Sequence, residues 1–352
     1  MRAPPAKGPW ALTVSGEASG SRLLAQIPIP IPRWGLSAED VRRVTASGTT
    51  EALARLPRIA RAFRGLLRAA EERPPTVAVL ADFTEANAWL GPRLRRLGVP
   101  VFWCVAPQVW AWRPGRARRL GRAMDALGTL FAFEPPLFRT HGVDATWVGH
   151  PAAEAPVGEG PAGRGVALLP GSRPSEVRAL LPPLLEATRG REATVLLAAS
   201  LDGATRGGAE RAAARAGRRT EIVPEGGLVA ALRGFDGAVV AMGTATLECA
   251  LAGVSMVAVA RASRVSALLL RRMLLVEHLA LPNILLGRAA VPELWQDEVT
   301  PRAIRAALDV SMDRGGSLRD ELLPHLAPRD GSTFAGRTGA IVTRLLSKSA
   351  QR

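Results

Sequence analysis

The sequence predicts an α/β protein built as two Rossmann-like domains facing a cleft, with the first domain shortened. Three observations predict it. Short apolar runs alternate with helical patterns along nearly the whole chain, as parallel strands joined by crossover helices require. Residues 151–165 (PAAEAPVGEGPAGRG) interrupt that alternation with Pro, Ala, Gly and Glu, and read as a linker. The 352 residues divide there into halves of similar size, and at roughly 150 residues per domain the length suggests two or three domains.

In the first half, Ala11–Ser15, Thr76–Ala81, Val99–Val105, Leu127–Phe133 and Ala145–Val148 read as strands. Each is a short, nearly continuous apolar run, the mark of a strand covered on both faces. Helical patterns lie near 50–72, 85–97 and 113–124. In the second half the strands fall near 165–169, 194–199, 219–223, 236–241 and 254–260. Helices follow near 175–188, 227–233, 244–252 and 300–309, and a last one near 333–348. The domains are drawn at 1–150 and 151–332, with the helix in 333–352 returning to the first domain.

Composition narrows the function classes. With 47% apolar and 22% charged residues the chain is an ordinary globular one. Two cysteines, Cys104 and Cys249, exclude a disulfide scaffold. Histidines at 141, 150, 278 and 325 form no HExxH or HxH cluster, so neither a metal nor a cofactor is expected. No apolar run reaches the ~18 residues of a membrane span. Trp10–Val14 is too short an apolar stretch for a signal peptide, and a cytoplasmic chain is expected.

The formal net charge is +15, and of 46 basic residues only Lys7 and Lys348 are lysine. Tyrosine is absent and Asn87 and Asn283 are the only asparagines, which points to a GC-rich genome and to codon bias behind the arginine. The surplus charge still favours anionic partners: phosphorylated substrates or an acidic lipid surface. Nucleic acid is not expected, since no binding motif accompanies the charge and aromatics are 5%. Along 50–72, Leu53, Leu56, Ile59, Phe63 and Leu67 alternate with Arg55, Arg58, Arg61, Arg64 and Arg68. That is either a surface helix packed on a sheet or a basic amphipathic helix on an anionic membrane. A second amphipathic candidate is 264–275, with Arg271 and Arg272 between apolar triplets.

Four segments suggest chemistry, each following a strand. Gly16-Glu17-Ala18-Ser19-Gly20 places two glycines where backbone N–H groups can approach a ligand. Asp82 ends an apolar run, ahead of Glu85 and Asn87; it is either a helix cap or a general base. In Gly171-Ser172-Arg173 a cation opens a helix, which is unfavourable unless an anion sits beside it, and a diphosphate would serve. Gly243-Thr244-Ala245-Thr246 offers further donors, with Glu248 one turn on for the hydroxyls of a ribose. Carboxylates in the first half and anion-binding turns in the second fit an acceptor held by one and a nucleotide-sugar donor by the other.

SGEASG (15–20), APQVWAWRPGRARRL (106–120), FEPPLF (133–138), WVGHP (147–151), LLPGSRPSEV (168–177), MGTATLECAL (242–251) and LPNILLGRAAVPELWQDE (281–298) occur in this order. The chain resembles the lipid-A-disaccharide synthases from about residue 11 to residue 300. The resemblance implies a GT-B glycosyltransferase that joins UDP-2,3-diacylglucosamine to 2,3-diacylglucosamine 1-phosphate (lipid X), with inversion, and releases UDP. It implies a peripheral protein on the anionic cytoplasmic face of the inner membrane. By motif position Asp82 is the family's candidate general base, Glu17 its loop carboxylate, Asn283 a functionally important asparagine and Arg173 a UDP contact. Gly171, Ser172, Gly243, Thr244, Ala245, Thr246 and Glu248 complete the donor side. Gly16, Ser19, Gln108 and Trp110 fall on the acceptor side.

The departures from the family pattern cluster in the first half. Ser21 stands where Asp is usual, and Asp82-Phe83-Thr84-Glu85-Ala86-Asn87 replaces Asp-x-Pro-Asp-Phe-Asn. Residues 21–49 look short of a strand and a helix, and the usual hydrophobic insertion is reduced to Thr45-Ala46-Ser47-Gly48. A related transferase with another lipid-linked acceptor, or a non-catalytic paralogue, therefore stays open.

Overall fold

The structure is a computed structural model that describes residues 4–45, 52–112, 115–156, 163–262 and 275–351. The reduced insertion from Ala46 to Gly48, the centre of the linker and nearly all of the 264–275 segment lie outside the described residues. The chain forms two compact units, one of Met1–Pro151 with His325–Arg352 and the other of Ala152–Pro324.

Unit 1 is a parallel six-stranded sheet of β1 (Ala11–Val14), β2 (Arg33–Leu36), β3 (Val77–Ala81), β4 (Val101–Cys104), β5 (Ala126–Thr129) and β6 (Ala145–Trp147), in the order β2-β1-β3-β4-β5-β6. Its helices are α1 (Ala18–Gln26), α2 (Ala38–Thr45), α3 (Ala52–Glu72), α4 (Thr84–Arg96), α5 (Val109–Trp112), α6 (Arg116–Leu120) and α7 (Glu134–Arg139). Every residue of β3, β4 and β5 is buried, which explains their unbroken apolar runs. Phe63, Leu66, Leu90, Leu94, Leu120 and Trp103 fill one side of this sheet, each large side chain contributing roughly 1.5–3 kcal/mol by burial.

Of the two readings of the arginine-laced helix, packing accounts for α3. Phe63, Leu66 and Ala70 are buried, Ile59 and Leu67 pack on the same cluster, and Arg58, Arg61, Arg64 and Arg68 face solvent. From Arg58 onward the described apolar side chains of the helix are thus spent on the core, and the arginines lie on the opposite, solvent side.

Unit 2 repeats the architecture with β7 (Val166–Leu169), β8 (Ala193–Ala198), β9 (Arg219–Val223), β10 (Gly237–Ala241), β11 (Ser255–Ala260) and β12 (Glu293–Trp295), ordered β12-β11-β10-β7-β8-β9. Around it lie α8 (Pro174–Ala187), α9 (Gly203–Arg215), α10 (Leu228–Ala231), α11 (Thr244–Leu251), α12 (Leu281–Leu286), α13 (Pro301–Arg314) and α14 (Arg319–Leu326). The chain then re-enters unit 1 as α15 (Phe334–Ala350), which packs against β3 and β4 through buried Val342 and Leu345. No described helix is long and apolar enough to cross a membrane.

The described part of residues 21–49 holds β2 and α2. Two sequence expectations are corrected. The strand expected over Leu127–Phe133 stops at Thr129, because Phe131 and Phe133 turn out of the ladder and stack on each other 5.9 Å apart. The helix expected near 113–124 is the short α6 followed by a 3-10 turn at Gly121–Ala123.

Candidate active site

In open parallel sheets, ligands bind beyond the carboxyl ends of the strands, at the point where the strand order reverses direction. In unit 1 that point lies between β1 and β3, and in unit 2 between β7 and β10. The four loops leaving these strands are the four segments singled out in the sequence: 15–20, 82–87, 170–176 and 242–248. The topology thus sets all four segments at the two reversal points.

In unit 1 the two loops are tied by one carboxylate. Asp82 Oδ1 accepts from the Gly16 N–H at 2.6 Å and Oδ2 from the Glu17 N–H at 3.0 Å. Two glycines make room for it. A Cβ on Gly20 would lie 1.8 Å from Asp82 Oδ2, and one on Gly16 would lie 2.3 Å from the Phe83 ring. Asp82 and Phe83 both take left-handed backbone angles, φ 41 and 47. Conformations of this kind cost on the order of 1–3 kcal/mol each and persist where surrounding contacts hold them. Phe83 stacks on Phe63 with ring centres 5.5 Å apart. The side chain of Asn87, buried in the first turn of α4, donates to the carbonyls of Ala81 (3.2 Å) and Asp82 (2.6 Å).

Burial pushes the Asp82 carboxyl up to about 6; the two backbone N–H groups oppose the rise and the Glu17 charge adds to it. The group is thus ionised at neutral pH yet close enough to neutrality to accept a proton, the property of an effective general base. Glu17 is the exposed N-cap of α1. Glu85 is exposed too, and pairs with Arg116. Ser21, which stands in place of the family's usual Asp, is used internally: its hydroxyl meets Ser15 Oγ at 2.6 Å and accepts from the Ala38 N–H. Ser19 is exposed on the same loop.

Farther along the sheet, Gln108 is exposed and Trp110 half-buried beyond β4. The Trp110 indole donates to Glu134 Oε1 at 3.0 Å, and Glu134 Oε2 accepts from the Phe131 N–H. Burial pushes Glu134 up to about 7, against those donors and the Leu130 N–H. His150 is buried as well and held down to about 4 by burial and then by the charge of Arg22. Nothing local in the sequence marks Glu134 and His150 as buried ionisable groups, because burial is a tertiary property.

In unit 2, Arg173 is the N-cap of α8, and the anion that makes this tolerable is internal. Glu176 pairs with its guanidinium at 3.0 Å, and Glu176 Oε2 accepts from the N–H groups of Ser172 and Arg173. The sequence argument that Arg173 demands a bound anion is therefore corrected. The signal was present: a glutamate three residues after the cap is a capping-box pattern. Gly171 has φ +107, and a Cβ there would strike the Glu176 carboxylate at 2.4 Å. The neighbouring loop is more open. Gly243 and Thr244 are exposed, Ala245 is half-buried, and a Cβ on Gly243 (φ +146) would meet nothing. Thr246 is buried with its hydroxyl on the Gly243 carbonyl at 2.7 Å, and Glu248 is buried one turn on.

Asn283 is fully engaged within the fold. Its Nδ2 donates to Val291 O and Glu293 Oε1, and its Oδ1 accepts from the Val291 N–H, all within 2.8 Å. Glu293 also accepts from the Leu279 and Ala280 N–H groups at the start of α12, which packs on α11. Asn283 is a clasp that ties α12 to Val291 and Glu293. Among the described residues no group of three or more His, Cys, Asp or Glu could hold a metal.

Comparison with known proteins decides the family. The family model for lipid-A-disaccharide synthetase matches residues 37–321. The chain belongs to that family. It is 36% identical to the lipid-A-disaccharide synthase of Myxococcus xanthus over 94% of both chains. It is 32% identical to that of Koribacter versatilis over 95% of both. Its fold is that of a putative UDP-N-acetylglucosamine 2-epimerase from Listeria monocytogenes (TM-score 0.55, 12% identity, 97% of both chains). MurG of Acinetobacter baumannii shares the fold too (TM-score 0.51, 16% identity, 96% of this chain and 99% of that one). The synthase-family chain is accordingly a GT-B glycosyltransferase of lipid A biosynthesis.

Proposed function

We propose that this enzyme joins UDP-2,3-diacylglucosamine to lipid X through a β-1,6 linkage, inverting the anomeric centre and releasing UDP. Asp82 takes the proton from the acceptor's 6-hydroxyl. The observation that carries this reading is the Asp82 carboxylate itself, bonded across the β1/β3 reversal point of unit 1 and raised by burial to about 6. Unit 2 takes the donor: Arg173 and the open N–H groups at Gly243 and Thr244 receive the diphosphate, and Glu248 receives ribose hydroxyls. Glu17 orients the acceptor, with Gly16, Ser19, Gln108 and Trp110 along the same sheet edge. Asn283 acts indirectly, by fixing α12 behind α11.

The test is purified protein with UDP-2,3-diacylglucosamine and lipid X, scored by mass spectrometry for disaccharide and UDP. UDP release only with another lipid-linked acceptor would support the related transferase, which the departures in unit 1 favour. Absence of turnover with UDP binding intact would leave the non-catalytic paralogue. We place the enzyme on the cytoplasmic face of the inner membrane, held there by charge, since Arg58, Arg61, Arg64 and Arg68 of α3 face outward. Binding to vesicles with anionic lipid should then fall steeply as salt rises.

A further inference from the structure

We propose that Asn87 is the positioning residue that holds Asp82 in its working geometry. The inference rests on the reading of Asp82 as the base, and its central claim, that Asn87 sets the placement of that carboxylate, is measurable apart from turnover.

The argument starts from the backbone. Two successive non-glycine residues in left-handed conformation, Asp82 and Phe83, turn the chain sharply where β3 ends. The turn carries the Asp82 side chain back toward the loop after β1, where it meets the Gly16 and Glu17 N–H groups. Such a turn leaves the carbonyls on its inner side needing donors. The Asn87 amide supplies two hydrogen bonds from one nitrogen, to the carbonyl before the turn (Ala81) and to the one within it (Asp82). The backbone N–H of Asn87 donates to the next carbonyl, Phe83 O, at 3.0 Å. One residue thus closes three consecutive carbonyls around the strained step.

The side chain is fully buried, and its Oδ1 has no hydrogen-bond partner. The amide's donors, not its acceptor, therefore explain why this residue is here. Leucine would fill the space without donating, aspartate would set a carboxylate against two carbonyls, and serine would donate once. Without those donors, the carbonyls of a buried turn lose their partners, and the chain relaxes out of the left-handed region. Asp82 then leaves the two N–H groups and swings toward water. The ionisable group that acts on it is Glu17 at the start of α1, while Glu85, three residues along the chain, is paired with Arg116.

The experiment compares the full chain with Asn87→Ala, Asn87→Ser and Asp82→Asn. The Asp82 carboxyl carbon is followed by NMR titration, assigned by its loss in Asp82→Asn. In Asn87→Ala the titration midpoint should fall by about one pH unit or more as the carboxyl gains solvent. Turnover should fall ~10–100-fold, with the acid limb of its pH profile moving the same way and the KM for the UDP-sugar within about twofold. Asn87→Ser, which keeps one donor, should lie between, and it decides the matter should the alanine variant not fold. An unmoved midpoint in a folded Asn87 variant overturns the proposal, and if Asp82→Asn is inactive the base assignment survives that failure. A moved midpoint with an active Asp82→Asn upholds the positioning and removes the base.

Discussion

Both units place a carboxylate on the N–H groups of a glycine loop at the point where strand order reverses, but the two carboxylates differ in origin. In unit 2 the carboxylate is local: Glu176 caps its own helix, three residues from Arg173, within a half-exposed ion pair. In unit 1 it comes from sixty-six residues away and joins two strands' loops through a left-handed backbone step. A local cap is what any helix of favourable sequence makes, and it adds little that a ligand could not replace. A long-range, half-buried carboxylate costs stability at neutral pH and strains its own loop. Folds keep such arrangements where chemistry needs them. The difference fits the proposed division, with the reacting group in unit 1 and the exchangeable anion site in unit 2.

The largest effect that could break this comparison is on turnover. Asp82→Asn should lower it ~10²–10⁴-fold, the usual value of general-base help, while UDP affinity measured by calorimetry barely changes. Near-normal turnover in that variant, with Glu17→Gln or Glu85→Gln inactive, would move the base to the exposed carboxylates.

The second effect is on stability against pH, and it belongs to unit 1 alone. Asp82 and Glu134 are both raised, to about 6 and about 7, so the folded unit binds more protons than the unfolded chain between about pH 4 and 7. Their contribution is full below the unfolded values and is lost as pH rises through the folded ones. For Asp82 a rise of about two pH units corresponds to about 3 kcal/mol at most. Thermal unfolding should therefore show a midpoint that falls from pH 5 to 8, and Glu134→Gln should flatten the curve. His150, held down to about 4, works against this fall below about pH 6.5, so the decisive readout is the variant: a Glu134→Gln curve that matches the parent's between pH 5 and 8 would show that Glu134 is not raised.

How much of this was legible beforehand follows from the same contrast. The central strands could be read because burial on both faces leaves unbroken apolar runs such as Val77–Ala81. The edge strands β2 and β12 could not, since Arg33-Trp34-Gly35-Leu36 and Glu293-Leu294-Trp295 are partly exposed and carry mixed residues. Helix α9 escaped because its Gly- and Ala-rich sequence has almost no apolar face. The candidate loops were visible as glycine clusters after strands. Their wiring was not, because nothing near residue 82 announces a bond to residue 16, or near 283 a clasp on 291 and 293. Glu176 is the opposite case, a local capping-box pattern written three residues after Arg173.

In unit 2 the comparison predicts a moderate loss on the cation. Arg173→Ala should weaken UDP binding by ~1.5–3 kcal/mol, the range for a hydrogen bond to a charged group, with turnover at saturating donor affected far less than by Asp82→Asn. Calorimetry checks it, and unchanged UDP affinity would remove Arg173 from the donor site. The fold itself should barely register the change, because the Arg173–Glu176 pair is largely exposed on the arginine side.

The smallest effect is the most discriminating. Glu176→Gln keeps an acceptor at the third position of α8, so the helix cap survives and stability should stay within ~0.5 kcal/mol. The substitution removes the negative charge that now occupies the Ser172 and Arg173 N–H groups and pairs with the guanidinium. A diphosphate entering that loop competes with the carboxylate for the same donors, and in the variant it no longer meets a like charge. UDP should therefore bind a few-fold tighter to Glu176→Gln than to the parent, the opposite sign to Arg173→Ala. If both variants weaken UDP equally, Glu176 supports the arginine in the bound state. The carboxylate of unit 2 would then be as integral to its site as Asp82 is to that of unit 1.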